Sequence, residues 1–250
     1  VDDPQKSDAK KKKHRPAAEI IESATRLTQV SSARRFAARF GENLRHKTGM
    51  GWLAWSGKRW EPSQKAAERP AQKVGQLVRD EHHALKDPSL GVAKDWHAHA
   101  KSCETAAGIA ATLKIASAMT EFDADALEFD AGTALFNCEN CTFELSKAES
   151  FEHRREDYIS KISPVVHDPG ATCPRWLEFL GEVFDCDIAL IDYFQWAAGY
   201  SMTGDVSAQT WFMLVGKGAN GKSTAIRVLQ HIHGEYAQQL NSEQLLQQKY

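Results

Sequence analysis

The chain has 250 residues, of which 42% are hydrophobic and 26% charged, and this composition is typical of water-soluble globular proteins with one large or two medium domains. We find no apolar run near the roughly 18 residues that a transmembrane helix needs, so we expect no membrane partner. Five cysteines are few and odd in number, which disfavours a secreted disulfide scaffold and favours a reducing compartment.

The net charge of −2 conceals an asymmetry between the two halves of the chain. Residues 1–114 hold 22 Lys and Arg against 13 Asp and Glu, whereas residues 115–250 hold 9 against 20. A basic half can contact nucleic-acid phosphates or an acidic partner. It can equally be an ordinary solvated surface, and charge alone leaves both interpretations open.

Residues 1–16 are polar and charged and contain the basic run Lys10-Lys11-Lys12-Lys13-His14-Arg15. Such a segment cannot bury enough area to order itself, so we predict a disordered basic linker over residues 1–30. Val1 stands where a natural start has Met, and we expect both ends of the chain to be those of a fragment.

Helices and one hairpin are predicted for the basic half. Phe36, Phe40 and Leu44 recur at helical spacing in a helix that begins at Ser31 and Ser32. Residues 51–60 alternate around a Ser-Gly turn, which predicts a hairpin whose tryptophans either stack on bases or pack in a core. One long polar helix is predicted over residues 62–85, and one or two more over 95–118.

Short strands are predicted over residues 126–129 and 134–145. Cys138 and Cys141 form a C-x-x-C pair within the second region. A zinc site would need two further ligands, for which Cys173 and Cys186 are the loose alternatives to a plain turn with two ordinary cysteines.

The last third predicts two helices, a strand and a third helix. Proline suits a first helical turn, so Pro174 begins a helix, and a second runs from Ile188 to a point before Gly199. Residues 211–215 form a continuous apolar run, which is typical of a buried parallel strand. Residues 224–233 continue as an amphipathic helix.

Residues 216–223, between that strand and helix, fit the phosphate-binding pattern G-x-x-x-x-G-K-[ST] completely. Glycines let backbone N–H groups approach a polyphosphate, and a helix start adds its positive dipole end. Lys222 is then placed to reach the β- and γ-phosphates, and the Ser223 hydroxyl to bind Mg²⁺. Hydrolysis also requires a carboxylate after a later apolar strand, and neither Glu235 nor Glu243 has that position.

The phosphate-binding loop and five further segments resemble the phage and plasmid primase-helicase family, whose ATPase belongs to helicase superfamily 3 and which includes poxvirus-type relatives. The resemblance covers roughly residues 33–240. Cys141 replaces a usual glycine and Phe143 a usual leucine, which puts the local turn geometry in question. The similar segments are residues 52–60, 140–145, 153–158, 168–176, 199–204 and 216–224.

The resemblance implies an α/β fold in which the start of a P-loop, AAA+-like NTPase core over residues 171–250 follows a mostly helical accessory domain with short β-hairpins over residues 31–170. It implies a ring-forming, hexameric DNA helicase using ATP and Mg²⁺, encoded by a phage or plasmid in the cytoplasm of a bacterial or archaeal host. The second acidic motif, sensor and arginine finger are expected beyond Tyr250. The nucleotide-binding positions carried over are Gly216, Gly218, Asn220, Gly221, Lys222, Ser223 and Thr224, with Lys222 as the catalytic residue and Ser223 as the metal ligand.

Two hypotheses follow. The first is the N-terminal fragment of an ATP-dependent helicase, and the second is a nucleotide- or DNA-binding module without hydrolytic activity. A P-loop kinase or transferase is disfavoured by the motifs that precede Pro174.

Overall fold

The computed structural model describes residues 27–84 and 90–241, and it divides into two compact units. Unit 1 comprises Val1–Ala54 and Pro62–Asp125, and unit 2 comprises Trp55–Glu61 and Ala126–Tyr250. Most of the predicted linker lies outside the described residues. Among the described residues, no helix is both long and apolar enough to traverse a bilayer.

Unit 1 begins with helix α1, Gln29–Phe40. The Thr28 hydroxyl accepts from the Ser31 N–H at 3.2 Å, and the Ser31 hydroxyl accepts from the Thr28 N–H at 3.0 Å. This reciprocal cap starts the helix slightly earlier than the predicted Ser31. The predicted helix is confirmed as far as Phe40, and its Phe36 is fully buried. Its extension to Leu44 is wrong, because Leu44 is the first residue of a β-strand.

A three-stranded sheet follows, with strands β1 Leu44–Lys47, β2 Gly51–Trp55 and β3 Trp60–Pro62 in that order. It confirms the predicted hairpin. Trp52 is buried against Phe36 and Phe122, with ring centroids 6.1 and 5.1 Å apart. Trp60 is also fully buried, so these two tryptophans pack in cores and present no stacking surface for bases.

The predicted single helix over residues 62–85 is wrong, because α2 Gln64–Ala71 and α3 Val74–Ala84 are separate helices. Pro70 lies in the last turn of α2 and has no N–H to continue the helical ladder. The region 95–118 holds two helices, α4 Leu90–Cys103 and α5 Ala106–Ala116.

Unit 2 contains an antiparallel sheet of β4 Leu135–Asn137, β5 Thr142–Glu144 and β6 Glu149–Phe151. The strands predicted over residues 134–145 are confirmed. The strand predicted over residues 126–129 is wrong, because this segment forms turns and pairs with no neighbouring strand.

Three helices complete unit 2, namely α6 Pro174–Val183, α7 Ile188–Ser201 and α8 Lys222–His233. Their shared core contains Leu180, Phe194 and Ala225. Helix α7 was predicted to end before Gly199, and this prediction is wrong. The helix continues through Gly199 to Ser201, and its residues Phe194 and Ala197 are buried.

The buried strand predicted over residues 211–215 is also wrong. This segment is irregular, and Trp211 and Val215 are 75% and 82% exposed. A strand needs hydrogen-bonded neighbours, and within residues 27–84 and 90–241 none pairs with this segment. The structure is thus a mixture of helices and small antiparallel sheets, and the AAA+-like core remains a prediction.

Candidate nucleotide-binding site

Residues 216–221 form an irregular loop that leads directly into helix α8 at Lys222. Ala219 and Gly221 have left-handed φ angles of 59° and 81°, while Asn220 between them does not. Successive residues that alternate between right-handed and left-handed helical conformations direct their N–H groups to one side, and this arrangement can form an anion-binding concavity. The alternation over residues 219–221 is of the kind found in such concavities.

Gly221 is the residue where this loop meets the rest of unit 2. A Cβ atom there would lie 2.5 Å from Val183 Cγ2 and 3.2 Å from the Phe179 ring. Helix α6 therefore packs directly against the start of α8, and only glycine fits between them at this φ.

Lys222 folds back over the loop that precedes it. Its ammonium donates to the carbonyl oxygens of Gly216 at 3.1 Å and Lys217 at 3.3 Å, and to Asn220 Oδ1 at 2.5 Å. Five of the predicted site residues are thus close to one another, because Gly216, Asn220, Gly221, Lys222 and the following Ser223 share one turn of chain.

Three of the predicted site residues, Gly218, Ser223 and Thr224, are exposed. Ser223 and Thr224 are exposed in the first turn of α8, and a Cβ on Gly218 would meet open space. The first turn of α8 contains no acidic side chain, so its positive dipole end is not neutralised by a neighbour in sequence.

The opposite end of α8 is fixed by contacts that sequence patterns did not indicate. Glu235 forms an ion pair with Arg59, at the tip of the β2–β3 hairpin, and accepts from the Ile162 N–H at 3.1 Å. The Tyr236 ring stacks on Phe136 with centroids 4.9 Å apart. Arg59 and Glu235 are 176 residues apart, so no local signal could have paired them.

The Tyr236 hydroxyl extends this anchor to strand β4. It accepts from the Asn137 N–H at 3.2 Å and donates to the Lys161 carbonyl at 3.4 Å. Burial raises the pKa of Tyr236 to about 12, so its phenol stays protonated and able to donate at neutral pH.

Cys138 and Cys141 flank the turn between β4 and β5, where the Cys138 N–H donates to the Cys141 carbonyl at 2.8 Å. Both side chains are buried, whereas Cys173 and Cys186 are exposed. In the part of the chain that the structure describes, no group of three or more His, Cys, Asp and Glu side chains is placed to hold a metal ion. The pair therefore lies in the hairpin core with no further ligand among these residues.

In a comparison with protein families, the family model described as "D5 N terminal like" matches residues 33–185. This is more than half of the chain. The chain belongs to the D5 N terminal like family. That family is found in phage and plasmid primase-helicase proteins, which supports the resemblance seen in the sequence.

The D5 N terminal like match ends before the loop at residues 216–223. The family assignment and the loop geometry are therefore independent observations. A search of curated proteins finds no match. The assignment indicates a replication protein of the primase-helicase type.

Proposed function

We propose that this chain is part of an ATP-dependent DNA helicase of the phage or plasmid primase-helicase type, and that residues 216–223 bind ATP with Mg²⁺. The observation that carries the proposal is the loop before helix α8. Its residues 219–221 alternate between left-handed and right-handed φ angles, and Lys222 then begins the helix. Membership of a family found in primase-helicases supplies the biological setting.

Lys222 would exchange its present partners for phosphate oxygens. Its ammonium is already held against the loop by two carbonyls and the Asn220 side chain. A charged phosphate oxygen is a stronger acceptor than these neutral oxygens. The Ser223 hydroxyl, exposed in the first helical turn, is the side chain that would bind Mg²⁺, and Thr224 follows it.

Helicase activity also requires hydrolysis, and here a second candidate function is favoured by one observation. Between Lys222 and residue 241, the last that the structure describes, the only carboxylate is Glu235. Its oxygen is already engaged by Arg59 and the Ile162 N–H. This arrangement favours a nucleotide-binding module that does not hydrolyse ATP through these residues alone.

DNA is the proposed macromolecular partner, and a hexameric ring the proposed assembly. The family setting supports DNA, and unit 1 supplies cations that can neutralise phosphates. The ring rests on the resemblance to superfamily 3 helicases. The exposed cations of unit 1 that we single out are Arg34, Arg39, Lys65, Lys73 and Lys114.

Nucleotide affinity of two lysine variants tests the proposal. Lys222→Ala should weaken binding of a fluorescent ATP analogue in Mg²⁺ by about tenfold or more, which corresponds to roughly 1.4 kcal/mol. Lys217→Ala is the matched control, since Lys217 is exposed in the same loop and the phosphate-binding pattern leaves its side chain unspecified. Equal affinities of wild type and Lys222→Ala would contradict the proposed site.

ATP turnover separates the two candidate functions. Binding without turnover by this chain supports the module that does not hydrolyse ATP. Hydrolysis that disappears in Lys222→Ala would show that the chain has its own water-activating group, and the second candidate would then be wrong.

A further inference from the structure

We infer that Arg59, Glu235 and Tyr236 are positioning residues of the nucleotide site, which fix the far end of helix α8 and so couple nucleotide binding to the tip of the β2–β3 hairpin. This inference rests on the proposed function of residues 216–223. It assigns a role to side chains that touch neither the loop nor Lys222, and it identifies the hairpin tip, Trp55–Glu61 in unit 2, as the element that responds to nucleotide.

Helix α8 has contacts at both ends and therefore transmits displacement. It contains 12 residues, so its ends are separated by about 18 Å. Its first residue is Lys222, and its start packs against α6 through Gly221. Any rotation or shift of the far end moves Lys222 relative to the loop, because a helix is stiff along its axis.

The far end of α8 is clamped by the chain that leaves it. Gly234 has a φ of 55°, and a Cβ atom there would collide with Pro164 Cδ. The Ser163 hydroxyl donates to the Ile232 carbonyl at 2.5 Å, inside the last turn of the helix. The His233 ring, 7% exposed, lies edge-on against Phe136.

Two sets of contacts join this end of α8 to the hairpin tip, namely one ion pair and the hydrogen bonds of the buried Asn137. Arg59 bonds to Glu235. Asn137 is fully buried, and its side-chain amide donates to the carbonyls of Lys58 and Lys161, each at 3.1 Å. The same Asn137 donates its backbone N–H to Tyr236. Both routes join the segment after α8 to the segment 58–59.

The adjacent Lys58 provides a matched control. Its ammonium pairs with Glu139, in the turn between β4 and β5, and makes no ion pair with residues 234–241, the described part of the segment that follows α8. Both cations are at the same hairpin tip, at 42% and 22% side-chain exposure, but only Arg59 contacts the end of α8. Removal of the Lys58 side chain therefore tests the general effect of losing a cation from the tip. Removal of the Arg59 side chain tests the coupling to α8.

The test measures MgATP affinity of four variants. Arg59→Ala and Glu235→Ala should each weaken binding by about threefold to tenfold, and the double variant should be no weaker than the worse single variant. Arg59→Lys should restore most of the affinity, and Lys58→Ala should match wild type. Wild-type affinity in both Arg59→Ala and Glu235→Ala would overturn the inference, as would an equal loss in Lys58→Ala.

A measurement on the wild-type chain keeps the test decisive if a variant does not fold. By linkage, MgATP should slow hydrogen exchange of amides at the hairpin tip, including the Trp60 N–H that donates to the Ile159 carbonyl at 2.8 Å. Protection confined to residues 216–224 would overturn the coupling and leave the proposed function intact. Absence of protection at both places would contradict the proposed function itself.

Discussion

Cysteine side chains show how strongly single residues differ in environment within this chain. Cys138 is 5% exposed, and burial, reinforced by the neighbouring Cys141 thiol, raises its pKa to about 11. Cys173 and Cys186 are exposed. Because the thiolate is the reactive form, burial and protonation both suppress the reactivity of Cys138.

We expect two fast-reacting thiols when the folded chain is titrated with an aromatic disulfide reagent at pH 8. These are Cys173 and Cys186, and the double variant Cys173→Ser, Cys186→Ser should lose the fast phase. Raising the pKa by two units reduces the thiolate fraction of Cys138 roughly a hundredfold at this pH. A fast phase that survives in the double variant would contradict the assigned environments.

Helix α1 illustrates how an element is fixed by one buried charge. The Arg35 side chain is 1% exposed, and its Nε donates to Glu81 on α3 at 2.7 Å. Its guanidinium also lies 5.6 Å from the Trp96 ring centroid on α4. One side chain thus connects three helices of unit 1, and its removal leaves a partly buried carboxylate without this partner.

Arg35→Ala should lower the free energy of unfolding by about 2–3 kcal/mol, since breaking a buried pair strands the remaining charge and Glu81 is partly hydrated. Arg34→Ala is the natural control, because Arg34 is exposed one position earlier in the same helix. It should change the free energy of unfolding by less than about 0.5 kcal/mol. Urea denaturation of both variants checks this, and similar losses would mean that Arg35 does not hold α1.

At the scale of the whole molecule, the charge asymmetry leaves a basic front half and an acidic second half. Lys65 in α2 and Lys73, which lies between α2 and α3, are exposed cations of unit 1. Lys147 in unit 2 is 61% exposed but pairs with Glu144. Contacts with DNA phosphates should therefore involve the first two lysines and not the third.

We expect single-stranded DNA affinity to fall roughly fiftyfold between 50 and 200 mM salt if about four phosphates are neutralised. The double variant Lys65→Glu, Lys73→Glu should bind more weakly and with a shallower salt dependence, whereas Lys147→Glu should behave as wild type. Fluorescence anisotropy measures both. Salt-insensitive binding, or a larger effect of Lys147→Glu, would place the DNA contact elsewhere.

Local patterns predicted the elements whose partners are near in sequence. The helix with Phe36 and the hairpin with Trp52 and Trp60 follow from period and turn chemistry. The segment 211–215 has the composition of a buried strand, yet a strand also depends on neighbours that composition does not specify. Strand β6 escaped prediction because Glu149 and Ser150 are both exposed and give no alternation.

The same distinction applies to the candidate site. The glycine, asparagine, lysine and serine positions of the loop follow from a continuous motif, because residues 216–223 are consecutive in the sequence. The contact of Gly221 with helix α6 and the ion pair of Arg59 with Glu235 connect distant segments. These contacts depend on tertiary structure, which no spacing rule contains.

The most direct test of the nucleotide site is to identify the lysine nearest to bound phosphates. An acyl-phosphate derivative of ATP transfers its acyl group to an amine beside the phosphate chain, and peptide mass spectrometry then locates the modified residue. We predict modification at Lys222, suppressed by excess MgATP, with Lys217 modified far less. Modification spread over surface lysines and insensitive to ATP would contradict a nucleotide site at residues 216–223.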